Sequence, residues 1–353
     1  MYICHIYNNT YGITETTGCM RIFFLFIVQV FAATISAQIV GTGHVITKDG
    51  QRLSDVAIVL KDRPTYISNI DGNFTFALSN GYYTIERIEK AGYKLISPNL
   101  PYSSRYDGTQ VKIVMEANND EQQRVLYTYG EKLFQQALYL EQKQLYGDAA
   151  DSLVKRAALD TLNVRWQYET GEYMHKYGDY LTAQTYYNKA IYKAKELYGE
   201  NNQYLAICYE LYGDNYFDWK AWGDKIDLNF ADAKAYYQLS GHAWNLLFDE
   251  FNNNSARINL KMGRCWVRLD NPLSAKKCWD MSLSTLQNTP DADRNLLASV
   301  YLKMIEYFYS IGNYSETMSF LQKLLALEKE MYGENSESYQ TVLKQIELLK
   351  KEQ

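Results

Sequence analysis

The sequence predicts a multidomain chain in which a small all-β sandwich is followed by an all-α superhelix of helical hairpins. First, apolar and polar residues alternate with a period near two from Ile39 to about Glu116, which is the period of half-buried strands. Second, the period changes to near 3.6 beyond "EANNDEQQ", as in amphipathic helices. Third, small residues in the helical part recur at steps of 42 and 50 residues, which is typical of a stacked repeat.

Length and composition narrow the class of protein. The chain has 353 residues, of which 47% are hydrophobic, so it can bury the cores of two or three domains. The net charge of −5 argues against nucleic acid as a partner. Beyond residue 37 the only cysteines are Cys208, Cys265 and Cys278. None lies in a C-x-x-C pair, so neither a disulfide framework nor a zinc site is predicted.

The N-terminal segment has the layout of an export signal. A short positive start at Met20 is followed by the apolar run "IFFLFIVQVFAA" and the small-residue ending "TISAQ". We therefore predict a secretory signal peptide at 20–37, with a mature chain that begins at Gln38. A buried core helix at 22–33 is the alternative. Residues 1–19 do not fit a signal, and we interpret them as a mis-assigned N-terminal extension.

Residues 38–117 contain short β-branched runs separated by turn residues. Asp49 and Gly50 separate the first two runs, which is a hairpin signal. The stretches "GTGHVITKDGQRLSDVAIVLK", "ISNIDGNFTFAL" and "KAGYK" resemble the carboxypeptidase regulatory-like family, an accessory β-sandwich of exported proteins. The family name refers to a domain that lies beside a peptidase. His44 is the only histidine of this segment and no H-x-x-E pair occurs, so we infer no protease activity.

After a polar linker at 118–125, residues 126–353 carry the repeat. Glycines recur at the start of three units, and each unit later has an alanine followed four residues on by an aromatic residue. The glycines are Gly171, Gly213 and Gly263, the alanines are Ala183, Ala233 and Ala275, and the aromatic residues are Tyr187, Tyr237 and Trp279. A small residue on one helix lets the next helix approach, and the aromatic residues fill the remaining gaps. We therefore expect Met174, Tyr180 and Tyr187 to be core residues.

This pattern resembles tetratricopeptide repeats, and "LYGENNQYLAICYELYGD" and "MYGENSESYQTVLKQIELL" resemble the long variety of about 42 residues. The resemblance implies about five hairpins whose first helices line a binding groove. An earlier unit is expected around Ala150, a small residue that lies 33 residues before Ala183. Ile305 and Thr317 stand where small residues are expected, so the last unit is predicted to act as a cap. Eight extra residues (a step of 50 instead of 42) enter between Tyr216 and Ala233, in the turn of one hairpin.

A basic stripe is the first candidate binding site. Its residues recur at helical spacing and share one helix face. They are Arg257, Lys261, Arg264 and Arg268. The preceding unit offers a matching acidic face of Glu210, Asp214 and Asp218. Two interpretations remain open: the stripe pairs with these acids or is solvated, or it binds a carboxylate or acidic segment of a partner, since arginine suits carboxylates.

Trp219 and Trp222, within the extra residues, are the second candidate site. Tryptophan is favoured at binding hot spots, so these side chains either contact a protein or glycan or fold back between units. We predict that at least one of them is substantially exposed.

No catalytic motif, metal-ligand cluster or phosphate loop is present in the sequence, so we predict no enzyme, no metal and no cofactor. The sequence predicts an exported non-catalytic scaffold that binds protein or peptide, and not nucleic acid, in the periplasm or on the surface of a Gram-negative bacterium. It would belong to an outer-membrane or periplasmic complex. The alternative is a glycan- or nutrient-binding component of an outer-membrane uptake system. A third interpretation is an enzyme subunit whose catalytic part lies on another chain.

Overall fold

A computed structural model of the chain describes residues 40–78, 81–117, 121–219 and 226–352. The predicted N-terminal extension and signal peptide lie outside the described residues, and so does Trp222.

The described residues before position 118 form eight strands. They are β1 (Val40–Thr47), β2 (Ala57–Leu60), β3 (Thr65–Ile67), β4 (Asn73–Ala77), β5 (Tyr82–Glu89), β6 (Tyr93–Ser97), β7 (Tyr102–Arg105) and β8 (Val111–Ala117). One sheet has the order β4-β1-β8-β6 and the other has the order β3-β2-β5-β7. Strand β1 pairs parallel with β8, whereas its other neighbour β4 is antiparallel.

Alternating side chains of these strands form the core of the β region. Along β1 every second residue is buried, as the period of two requires. Val45, Ile58, Phe76, Ile85 and Ile113 are completely buried in one cluster. The predicted small β-sandwich is therefore confirmed.

Eleven helices follow within the described residues. They are α1 (Glu121–Gln142), α2 (Tyr146–Leu159), α3 (Val164–Lys176), α4 (Tyr180–Tyr198), α5 (Gln203–Asp218), α6 (Ile226–Phe248), α7 (Asn253–Arg268), α8 (Pro272–Asn288), α9 (Arg294–Ser310), α10 (Tyr314–Tyr332) and α11 (Glu337–Glu352). They pack as successive hairpins, α1 with α2 through α9 with α10, and α11 packs on α10. Helix α1 begins inside the segment that we expected as a linker. The predicted all-α repeat of helical hairpins is confirmed.

Asparagine side chains fix several helix starts. The side chain of Asn202 accepts a hydrogen bond from the backbone N–H of Leu205 at 3.1 Å. Asn252 does the same for Ser255 at the start of α7. Each cap satisfies one of the backbone donors that the first turn of a helix leaves free.

Glycines of the first helices touch aromatic rings of the second helices. A Cβ atom on Gly171 would lie 2.8 Å from the ring of Tyr187, and one on Gly213 would lie 2.6 Å from the ring of Tyr237. Both rings are almost completely buried. The ring therefore occupies the space that a side chain would take, which is why this position holds glycine.

Two details of the expected core are wrong. Tyr180 is only half-buried and lines a cavity, because it lies in the first turn of α4, directly after the connection from α3. In the earliest unit the buried small residue is Ala149, whereas Ala150 is half-buried. The repeat therefore steps 34 residues from Ala149 to Ala183, one more than the sequence suggested.

Part of the extra sequence of the middle hairpin lies in helix α6. Seven residues separate α5 from α6, where three separate α3 from α4. Helix α6 also begins seven residues before Ala233, whereas α4 begins three residues before Ala183. Four of the eight extra residues therefore add about one turn to the described part of α6, since a turn takes 3.6 residues.

The sandwich packs directly on the helices. The hydroxyl of Tyr66 donates to the carbonyl of Leu247 at 2.8 Å, and the Tyr66 ring meets the ring of Phe248 at 5.8 Å. Asp55 accepts a hydrogen bond from the Tyr204 hydroxyl at 2.9 Å and lies 3.2 Å from the guanidinium of Arg165. The contact thus combines apolar burial with paired polar groups, which fixes the sandwich against α3, α5 and α6.

None of the described helices is both long enough and apolar enough to cross a membrane.

Candidate protein-binding groove

The first helices of three successive hairpins, α1, α3 and α5, line a cavity of about 820 Å³. We call this cavity the groove. Its lining includes five carboxylates, one lysine, one histidine and three aromatic rings. The carboxylates are Glu141, Glu169, Glu172, Asp214 and Asp218, and the other residues are Lys176, His175, Phe134, Tyr173 and Tyr180. With histidine neutral, the charged lining is predominantly acidic.

Helical spacing brings the groove residues of α3 to one face. Glu169, Glu172 and Lys176 follow one another at steps of three and four residues, which places their side chains on the same side of the helix. The same face packs beside α1 and α5, so their side chains enter one cavity.

Most of these carboxylates already have cationic partners. Glu141 pairs with Lys176, and Asp218 lies 3.1 Å from Nε2 of His175. Glu169 accepts a hydrogen bond from Nε of Arg165 at 2.6 Å. The contact with His175 holds the pKa of Asp218 below its ordinary value, as expected where a partner favours the charged form.

The basic stripe of α7 lies beside the groove and contacts α5. Nε and the second guanidinium nitrogen of Arg257 each donate to Glu210 at 2.8 Å. Nζ of Lys261 donates to Glu210 and to Asp214, both at 2.7 Å. Burial alone would raise the pKa of Glu210, but the hydrogen bonds from Arg257 and the charge of Lys261 lower it to about 2. This geometry agrees with the interpretation in which the basic and acidic stripes pair.

The other two residues of the stripe lie over aromatic rings. The guanidinium carbon of Arg264 is 4.3 Å from the ring centre of Phe217, and that of Arg268 is 5.8 Å from the ring centre of Phe230. Both arginine residues are exposed. They remain accessible to an acidic partner, whereas Arg257 and Lys261 would have to give up their present pairs first.

The second candidate site is described only in part. Trp219 is half-buried; its ring lies 6.3 Å from the ring of Tyr180 with an angle of 17° between the planes. It also meets the ring of Tyr216 at 6.4 Å. Trp219 is therefore packed beside the groove, and Trp222 lies outside the described residues.

The groove contains one carboxylate whose surroundings differ from those of the others. Glu172 is exposed within the groove, and no side chain of the described residues forms a hydrogen bond or ion pair with its carboxylate. Partial desolvation by the walls raises its pKa, and the charges of Glu169 and Asp214 raise it further. Sequence reasoning missed this residue, although its place directly after Gly171 matches that of Asp214 after Gly213.

The described histidine, cysteine and acidic side chains meet the requirements of neither a metal site nor a reactive thiol. Within them, no group of three or more histidine, cysteine or acidic side chains could hold a metal ion. The three thiols are buried. Burial raises the pKa of the Cys265 thiol to about 12, so it is not a reactive thiolate at neutral pH.

No family model matches the sequence, and no curated protein matches it significantly. Among solved structures, the chain is similar to BtubC (BKLC) from P. vanneervenii, with a TM-score of 0.44 and 17% identity over 66% of this chain and 84% of that chain. It is similar to TTC0263, a thermophilic TPR protein in Thermus thermophilus, with a TM-score of 0.41 and 11% identity over 61% and 98% of the two chains. It is also similar to pilF of Pseudomonas aeruginosa, with a TM-score of 0.35 and 15% identity over 62% and 99%. We therefore assign the helical repeat from the helix register and packing described above, and not from these similarities.

Proposed function

We propose that the chain is a non-catalytic scaffold that holds a segment of a protein partner in the groove between α1, α3 and α5. The observation that carries this proposal is the groove itself. It is built from the first helices of three successive hairpins, the side that forms the binding surface in stacked helical repeats.

The chemistry of the lining suits a polypeptide. Carboxylates alternate with the rings of Phe134, Tyr173 and Tyr180, so the groove offers both charge and flat apolar surface. Aromatic side chains supply much of the binding energy at protein interfaces. The cavity of about 820 Å³ has room for a few side chains of a bound segment.

Site-specific photo-crosslinking tests this proposal. A photoreactive amino acid is placed at Leu138, which lines the groove and is 39% exposed. The matched control carries the same group at Tyr192, an exposed residue of α4 outside the lining. We expect a discrete protein adduct from the Leu138 variant and none from the control. Equal adducts from both positions would contradict groove binding.

We propose that this scaffold is exported to the periplasm or cell surface of a Gram-negative bacterium. The support is the apolar run at 22–33 followed by "TISAQ", the layout of a secretory signal. N-terminal sequencing of the protein from cell-envelope fractions should give Gln38 as the first residue. Protein that still carries residues 1–19 would contradict both the signal peptide and the interpretation of these residues as a mis-assigned extension.

A glycan- or nutrient-binding component of an outer-membrane uptake system is the second candidate. It is favoured by the stacked, nearly parallel rings of Tyr180 and Trp219, because flat aromatic faces provide amphipathic contact surfaces. A glycan array separates the two functions. Binding that is lost in Trp219→Ala and kept in Tyr192→Ala would support the glycan, and an array without binding would reject it.

A further inference from the structure

Two successive hairpins carry the same arrangement of glycine, carboxylate and tyrosine. In each, the glycine of the first helix packs on the tyrosine ring of the second helix, and the residue after the glycine is acidic. The first set is Gly171, Glu172 and Tyr187, and the second is Gly213, Asp214 and Tyr237. Equivalent groups can therefore be compared within one molecule.

In the second set every polar group is satisfied. The hydroxyl of Tyr237 donates to one carboxylate oxygen of Asp214 at 2.7 Å. Nζ of Lys261, from the first helix of the next hairpin, donates to the other oxygen at 2.7 Å. This half-buried carboxylate thus holds a hydroxyl and a cation, which offset its partial removal from water.

In the first set neither polar group has a side-chain partner among the described residues. The hydroxyl of Tyr187, a completely buried residue, has no hydrogen-bond partner within the described part of the chain. Glu172 likewise has no ion pair there. The ion pair is missing because Leu211 stands two residues before Gly213, whereas Lys261 stands two residues before Gly263. The first set also has the longer side chain of glutamate where the second has aspartate.

Glu172, the acidic member of the first set, faces the groove. Both Glu172 and Leu211 line the cavity, so the place of the missing lysine is open to a ligand. The ring of Tyr187 packs against Gly171, the residue directly before Glu172. Burial raises the pKa of the Tyr187 hydroxyl, and the charges of Glu172 and Asp214 raise it further. A buried polar group without a partner is rare in proteins and calls for an explanation.

We propose that Glu172 binds a lysine or arginine side chain of the protein partner held in the groove, in the position that Lys261 takes beside Asp214. This inference rests on the proposed function. The ligand cation pairs with one oxygen of Glu172, and the hydroxyl of Tyr187 donates to the other. The rings of Phe134 and Tyr173, which also line the cavity, offer apolar and cation–π contacts to the same side chain.

Selection from a displayed library of random short peptides against the full chain tests the inference without knowledge of the natural partner. We expect enriched peptides to contain an excess of lysine or arginine at one fixed position. The affinity of an enriched peptide is then measured by fluorescence anisotropy for the chain and its variants.

Glu172→Gln removes the charge and keeps the size of the side chain. We expect it to weaken binding by about tenfold or more, because a hydrogen-bonded charge pair is lost. The matched control is Glu196→Gln on α4, whose carboxylate pairs with Lys193 and is 49% exposed. It changes the net charge by the same amount and should leave the affinity unchanged.

The reverse test introduces a lysine at position 211, which corresponds to Lys261 of the next hairpin. Leu211→Lys should satisfy Glu172 from within the chain and block the peptide, whereas Leu211→Gln, which removes the same apolar side chain, should weaken binding much less. Circular dichroism confirms that both variants keep the helical fold.

The outcomes separate the inference from the proposed function. Enriched peptides without a basic preference, or equal affinities for Glu172→Gln and Glu196→Gln, would overturn the inference and leave groove binding intact. A selection that enriches no peptide would contradict groove binding and the inference with it.

Discussion

Arg257 of α7 holds Glu210 of α5 through two hydrogen bonds of 2.8 Å. These helices belong to successive hairpins, so the pair joins one repeat to the next. Fork-to-fork geometry of this kind is the strongest arrangement that a guanidinium and a carboxylate can adopt. The basic stripe of α7 therefore stabilises the stacking of hairpins through two of its four members.

Arg257→Met should destabilise the fold by about 1.5–3 kcal/mol, because Glu210 loses two charged hydrogen bonds and keeps only Lys261. The control is Arg264→Met on the same helix, where an exposed guanidinium over the ring of Phe217 contributes about 0.5–1 kcal/mol. Urea denaturation measures both free energies of unfolding. An equal loss in the two variants would show that the pair between hairpins is not special.

The stability contributed by Glu210 should depend on pH. Its pKa in the folded chain is about 2, below the ordinary value of 4.5, so the ionised form stabilises the fold. This contribution is present above pH 4.5 and is lost as the pH falls through about 2. Glu210→Gln should therefore be destabilising near pH 7 and should approach the stability of the original chain near pH 2.

Glu172 is the control, because its ionisation should change the stability of the fold in the opposite direction. Its pKa is raised in the folded chain, so its ionisation disfavours folding at pH values above the folded pKa and has no effect below 4.5. Thermal melts of Glu172→Gln should show a higher Tm at pH 7 and none of this gain at low pH. A lower Tm at pH 7 would show that Glu172 already has a partner.

Two tyrosine-to-phenylalanine variants compare the equivalent hydroxyls. Tyr237→Phe removes the hydrogen bond to the carboxylate of Asp214 and should cost about 1.5–3 kcal/mol, the range for bonds to charged groups. Tyr187→Phe removes a buried hydroxyl that has no partner within the described residues and should cost nothing. Equal losses in chemical denaturation would contradict the difference between the two repeats.

The contact between glycine and aromatic ring can also be tested in the hairpin of α7 and α8. A Cβ atom at Gly263 would lie 2.1 Å from the indole nitrogen of Trp279, so Gly263→Ala should cost about 1–3 kcal/mol through overpacking. Gly147→Ala on α2 is the control, because no atom lies within 4 Å of the added Cβ. Calorimetry should show a lower Tm for the first variant only, since alanine favours helix at an open position.

The repeat could be predicted because each of its requirements is local. One contact between two helices requires a glycine, an alanine twelve residues later and an aromatic residue four residues beyond that, as at Gly171, Ala183 and Tyr187. The all-β segment could be predicted for the same reason, since alternation along a strand such as β1 reports burial directly.

The candidate site was harder to predict because it depends on neighbours that are far apart in sequence. Whether Lys261 faces solvent or Asp214 depends on the stagger between hairpins, which helical spacing alone does not give. The isolation of Glu172 follows from Leu211, an apolar residue that no charge pattern would single out. The additional turn of α6 before Ala233 likewise had to be observed in the structure.

Hydrogen–deuterium exchange of the full chain, with and without an enriched peptide, tests groove binding most directly. Amide protons become protected where a ligand stabilises the backbone and excludes local opening. With the peptide bound, we predict slower exchange in α1, α3 and α5, the helices that line the groove, and unchanged exchange in the β-sandwich. Slower exchange confined to the sandwich or to the second helices of the hairpins would contradict it.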